Sequence, residues 1–152
     1  MEILIPSHEA ITLLHDTVIQ FSGGEKGILH QSTVEAFPHR PQTYMGYNDD
    51  CDIHTVCAIL LDSISRNHGY RDGNKRTALV TVLFTYTVNG VYHHMNLFMN
   101  EDYEKLVLWV VLEKPSIQEI ASKLKELADK YQKKGFEVVI ARLKKAFFGI
   151  AS

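Results

Sequence analysis

Apolar residues recur at three- and four-residue spacing along most of the chain, which predicts a helical protein. Pro6-Ser7 opens the first helix, with Ser7 as its cap and Glu9 in its first turn. Ala10, Ile11, Leu14, Val18 and Phe21 form its apolar stripe, and Ser22-Gly23-Gly24 end it. A loop runs from Gly24 to Gln31, and Ser32 caps a short helix reaching about Phe37. Asp52 starts the next helix, whose core face is Ile53, Val56, Cys57, Leu60, Leu61 and Ile64. His54 lies off that stripe and reads as a surface residue. From Asn74 to Asn89 both faces carry apolar residues: Ala78, Leu79, Val82, Leu83 and Tyr86 on one, Val80, Phe84 and Val88 on the other. A helix apolar nearly all round belongs at the centre of a bundle. Asn100 caps a helix carrying Leu106, Val107, Trp109 and Val110, which stops before Pro115. Ser116 to Glu119 is a capping box, and the stripe from Ile117 to Tyr131 predicts a helix to about Lys134, broken by Gly135.

Three stretches depart from this rhythm. Met1 to Ile5 is a short extended lead. Pro38 to Asp52 is polar and rich in turn residues, and Gln42-Thr43-Tyr44-Met45 within it reads as a strand or as part of a polar surface loop. Val91 to Met95 is extended; neighbours there point to opposite sides, so His93 and His94 read as surface histidines. The expectation is one all-α domain over 1–152, a bundle over about 1–134 and an amphipathic helical extension over 135–152. In that extension Phe136, Val139, Ile140, Leu143 and Phe147 face one way, and Arg142, Lys144 and Lys145 another. Packing on the bundle or on a partner helix suits it better than a membrane surface, because Glu137 and Ala141 weaken a membrane face.

Composition narrows the class. A chain of 152 residues, 45% hydrophobic and 22% charged, can bury a core without staples. A net charge of −2 gives no basic field for nucleic acid. Cys51 and Cys57 read as reduced thiols, and the N-terminus lacks the pattern of a signal peptide. No apolar run approaches the ~20 residues of a membrane span. A cytoplasmic protein is expected.

The candidate chemistry sits in His68-Gly69-Tyr70-Arg71-Asp72-Gly73-Asn74-Lys75-Arg76. His68 can take a proton near neutral pH. Asp72 can hold Mg²⁺, a hard cation that prefers oxygen. Gly73 permits an unusual turn, and the helix starting at Asn74 aims its first amides back into the loop as an anion site. Lys75 and Arg76 add positive charge where it does not help the helix itself, which points to an anionic ligand such as phosphate. Each element alone is a common turn or surface pair; their order carries the reading.

This stretch, continuing into Thr77-Ala78-Leu79, resembles the Fic/Doc signature H-P-F-x-[D/E]-G-N-x-R, and its K-R-T-A-L ending is nearer the death-on-curing (Doc) toxin branch. Ser22-Gly23-Gly24…Gly27 and Arg40-Pro41-Gln42 extend the likeness. The resemblance implies a helical bundle with a β-hairpin flap, in which Gln42, Thr43 and Tyr44 dock the target by backbone pairing. It implies His68 as general base, Asp72 as Mg²⁺ ligand, and Gly73, Asn74, Lys75 and Arg76 on the phosphates of ATP, with Asn74 and Arg76 also in the catalytic set. Gly69 stands where Pro is usual, which should loosen the loop beside the base; Tyr70 replaces Phe and keeps an aromatic anchor. Lys75 stands at a second Gly of the AMP-transferase pattern, and Leu79 where its final Arg would bind distal phosphates. Both changes favour transfer of the terminal phosphate, as in the Doc branch, to a hydroxyl of a translation factor such as elongation factor Tu. Gly73, where Doc toxins can carry Ala, keeps AMP transfer as the alternative. A non-catalytic interaction module and a metal-dependent hydrolase are the other classes to separate. Ser122…Glu126-Leu127 matches the Fic inhibitory pattern only in part, so a separate antitoxin partner is implied.

Overall fold

The computed structural model describes the backbone of residues 2–91 and 100–149; within the last helix, the side chains of 132–144, 147 and 148 are outside the described set. Among the described residues there are seven helices and no strand: α1 (His8–Ser22), α2 (Gln31–Ala36), α3 (His39–Tyr47), α4 (Ile53–Arg66), α5 (Asn74–Val88), α6 (Glu101–Glu113) and α7 (Ile117–Phe148). His93, His94 and the extended segment around them lie outside the described residues.

Four of the five predicted caps form, the exception being Ser32. Ser7 Oγ accepts from the Ala10 N–H, Asp52 Oδ1 from Thr55, and Asn100 Oδ1 from Asp102. Ser116 and Glu119 close a reciprocal capping box. α2 starts one residue before Ser32, with His30 at its cap. The core is one cluster, and α4 runs through it, packing on α5, α7, α6 and α3. Val56 through Leu61 are all buried, so α4 is more deeply enclosed than α5, to which the apolar pattern gives the central place. In α5 the buried face includes Thr77, Thr81 and Thr85, while Phe84 and Val88 are exposed. Phe21, placed on the α1 stripe by its spacing, is 83% exposed.

Two expectations fail locally. The segment with Gln42, Thr43 and Tyr44 is helical, not a strand of a hairpin. Pro38 starts α3, and Pro41 sits in its first turn, where a missing N–H costs nothing. Arg40 then ties α3 to α4 by donating to Ser63 Oγ at 3.0 Å. Helical amides are consumed internally, so backbone pairing with a target along these residues is not available. The last helix also runs unbroken through Gly135 and ends at Gly149, φ 63°. One glycine costs a helix only about 1 kcal/mol, and good helix formers flank it on both sides.

Candidate active site

Arg66 and Asn67 end α4, and the chain turns through His68–Gly73 into α5. The side chains of Tyr70, Asp72 and Asn74 in and after this turn are all held. Gly73 is left-handed (φ 75°), which releases the backbone into α5. Asn74 and Tyr70 make a reciprocal pair: Tyr70 N–H donates to Asn74 Oδ1 at 3.0 Å, and Asn74 Nδ2 donates to the Tyr70 carbonyl at 2.9 Å. Asp72 accepts from the Glu25 N–H at 3.1 Å and from the Gly73 N–H at 2.7 Å. Those amide bonds, with Arg76 adding a smaller attraction, hold its carboxyl below the usual aspartate range.

A second loop, residues 23–30, runs alongside as a brace. Ile28 and Tyr70 form an isolated antiparallel bridge. Arg71 N–H donates to the Gly27 carbonyl, and Leu29 and His30 N–H both donate to that of Gly69. Gly24 must be glycine: a Cβ there would come within 2.6 Å of Asp72 Oδ2. Gly69, expected to loosen the turn, does the reverse. It is buried, its carbonyl holds two donors, and a Cβ would sit 2.8 Å from Phe37. Small size at this position lets the loop backbone lie directly on α2.

Beneath the loop lies a support that periodicity did not single out. His15 of α1 is buried, its ring stacked on Tyr70 at 3.9 Å, and its Nε2 donates to the Asp72 carbonyl at 2.8 Å. Its Nδ1 lies 3.1 Å from Asp16 Oδ1. Tyr70 is fully enclosed, hydrogen-bonded to Thr12 at 2.9 Å, and burial raises its phenol to about 12. The available signal was a histidine one turn from Ile11 on an otherwise apolar stripe. His54, put at the surface by its spacing, is instead half-buried: its Nδ1 lies 2.9 Å from Tyr86 Oη, and burial lowers its pKa.

His68 is the exception in the turn. It is exposed and has no hydrogen bond among the described residues. Its φ is 49°, a left-handed conformation that histidine visits rarely but more readily than most residues. Strain of this kind collects at functional sites. His68 faces a cavity of about 450 Å³ lined also by Asp72, Gly73, Asn74 and Lys75, a volume in the range of small-ligand sites. The same cavity has Arg66, Arg71, Arg76 and Lys114 in its walls, so five cations face one carboxylate. Gln42, Thr43 and Tyr44 do not line it.

The phosphate-binding set is partly redistributed. The Gly73 N–H is spent on Asp72, and the Asn74 side chain on Tyr70. Arg76 reaches back to Ser22 Oγ and, at 2.7 Å, to the Gly23 carbonyl, with Asp72 at 3.6 Å. What remains at the start of α5 is backbone. Thr77 N–H makes the first helical bond, to Gly73, leaving the Asn74, Lys75 and Arg76 amides unpaired among the described residues, with no side-chain cap. Together with Lys75, which has no ion-pair partner there, they form an anion cradle. Asp72 fits Mg²⁺ through one carboxylate: its amide bonds use two of about four lone-pair positions, and half of the side chain is exposed. Among the described residues no three metal-ligating side chains cluster, so such an ion would depend on ligand oxygens for the rest of its shell.

The Fic/DOC family model matches residues 5–85, more than half of the chain. The chain belongs to the Fic/Doc family. It is 31% identical to the protein kinase doc of Escherichia phage P1 over 121 residues, 80% of this chain and 93% of that protein. Over 70 residues it is 37% identical to the toxin Doc of Mycolicibacterium smegmatis, spanning 45% of this chain and 54% of that protein. The matched span ends inside α5, so it contains the Fic/Doc signature loop, its brace and the His15 support. Among the described residues no helix is long and apolar enough to cross a membrane.

Proposed function

We propose that this Fic/Doc protein moves the terminal phosphate of ATP to a Ser, Thr or Tyr hydroxyl of a target protein, as a Doc-like toxin. The observation that carries the reading is the cavity itself: an unencumbered His68 beside three free helix amides and a single exposed carboxylate. His68 takes the proton of the target hydroxyl. The hydroxyl oxygen bonds to the γ-phosphorus, the bond from that phosphorus to the β–γ bridging oxygen breaks, and ADP leaves. The Asn74, Lys75 and Arg76 amides and the Lys75 ammonium stabilise the charge on the phosphate oxygens. Asp72 would hold Mg²⁺, which when bound neutralises charge on the phosphates.

The choice of phosphate over AMP rests on Leu79 and Lys75. Leu79 is 6% exposed, committed to the core, and offers no donor to a pyrophosphate leaving group. Lys75 projects at the cavity where a glycine would let phosphate lie against the backbone. The relative named a protein kinase supports the same direction. AMP transfer is the second reading, favoured by Gly73, a left-handed glycine where Doc toxins can carry Ala. A translation factor such as elongation factor Tu is the proposed target, and a separate antitoxin the proposed inhibitor. Intact-mass measurement of a modified target separates the readings: about 80 Da added for phosphate, about 329 Da for AMP.

A further inference from the structure

Two residues other than glycine hold a left-handed backbone among the described residues, His68 (φ 49°) and Lys114 (φ 50°, ψ 54°). Both line the same cavity, although they come from different connections of the bundle. Lys114 is the C-cap of α6, and its N–H donates to the Val110 carbonyl at 3.2 Å. Capping explains the conformation but not the side chain. Glycine caps in this way without a Cβ penalty, and Pro115 further disfavours helical ψ at the residue before it. A lysine there carries a conformational cost, and its side chain stands in the cavity wall. That ammonium has no hydrogen bond or ion pair among the described residues, whereas Arg66 is paired with Asp62 at 2.7 Å and Arg76 with Ser22 and Gly23. A further observation lies in the same wall: Ser65 lines the cavity, and its buried Oγ has no hydrogen-bond partner among the described residues.

We propose that Lys114 binds the polyphosphate of the nucleotide from the α6 end of the cavity, while the α5 amides hold the reacting end. Ser65 Oγ supplies a further hydroxyl to the same ligand. The inference rests on the proposed nucleotide-dependent transfer and deepens it: the phosphate site is built from two helix junctions, one of them outside the signature loop.

The test titrates a fluorescent ATP analogue with Mg²⁺ into the full chain carrying Lys114→Ala, Lys114→Arg or Lys114→Gly. Lys114→Ala should weaken binding about tenfold, the loss of one charge-assisted hydrogen bond, and Lys114→Arg should restore most of it. In transfer assays Lys114→Ala should raise the KM for ATP and leave kcat near the parent value. Lys114→Gly distinguishes a binding role from a capping one: its unfolding midpoint should rise by a few degrees as the left-handed strain is relieved, while nucleotide binding falls as in the alanine variant. Parent-like binding in both the alanine and glycine variants would overturn the assignment of Lys114 alone. A parent chain that does not bind the analogue would remove the nucleotide reading of the whole cavity, and Lys114 with it.

Discussion

The two ends of α5 treat their loose backbone groups in opposite ways. At the C-terminus most of the last carbonyls are taken up. Asn89 N–H reaches the Thr85 and Tyr86 carbonyls, Gly90 N–H reaches Thr87, and Val91 N–H also reaches Tyr86. The Asn89 side chain donates to Thr85 and to Leu4, and accepts from the Leu4 N–H, pinning the N-terminal lead to the bundle. At the N-terminus three amides stay unpaired, and the cap is a glycine with no side chain to offer. The loop that precedes it has polar groups in plenty, but they are tied to one another and to the 23–30 brace. One end of the helix is finished for stability. The other is held rigid around a set of donors left open, which is what pre-organised anion recognition requires.

Removing the free base should give the largest effect. His68→Ala is expected to lower transfer by ~10²- to 10⁴-fold, the usual worth of a general base, with the unfolding midpoint unchanged or slightly raised. Activity equal to the parent would take His68 out of the mechanism.

Next comes the packing that fixes the loop. Gly69→Ala places a methyl against Phe37 and Val34, and should cost about 1–3 kcal/mol of stability by overpacking. Phe37→Leu in the same chain should return part of that loss in denaturant unfolding. If Gly69→Ala is neutral, the loop is not seated on α2 as tightly as the contacts imply.

A paired experiment sharpens the contrast between the ends. Asn74→Ala and Asn89→Ala each remove side-chain bonds to backbone, and each should destabilise by about 1–3 kcal/mol. Only Asn74→Ala should also reduce transfer per folded molecule. Equal loss of activity in both variants would mean that stability alone is being read.

The smallest effect concerns pH. The folded carboxyl of Asp72 titrates below its unfolded value because two amides and Arg76 favour the charged form. Its contribution to stability is therefore complete above the unfolded pKa and is lost as pH falls through the folded one. Asp72→Asn should be less stable than the parent at neutral pH, and the difference should shrink to nothing in acid. The same variant should show a weaker Mg²⁺ dependence of transfer; an unchanged Mg²⁺ titration would remove Asp72 as the ligand.

Local chemistry made much of this legible in the sequence. Helix positions follow from apolar spacing, and Ser7, Asp52, Asn100 and Ser116 cap as their side chains dictate. The order of His68, Asp72, Gly73 and Asn74 before an apolar run specifies a turn into a helix, because glycine alone accepts that conformation cheaply and the first helical amides have no internal partner. Tertiary structure decided the rest. Gln42-Thr43-Tyr44 has strand-like composition, yet Pro38 and Pro41 start a helix that Arg40 ties to Ser63, and packing outweighs so weak a propensity. Which polar groups remain free is likewise a property of the assembled molecule: Arg76 and the Gly73 amide look like phosphate ligands in sequence, but the fold places Ser22, Gly23 and Asp72 as nearer partners. His15, Ser65 and Lys114 lie 53, 3 and 46 residues from His68 in the chain. Two of the three reach the site only because α1 and α6 pack beside the α4–α5 turn, and Ser65 because the last turn of α4 forms part of the cavity wall; no local pattern encodes any of these placements.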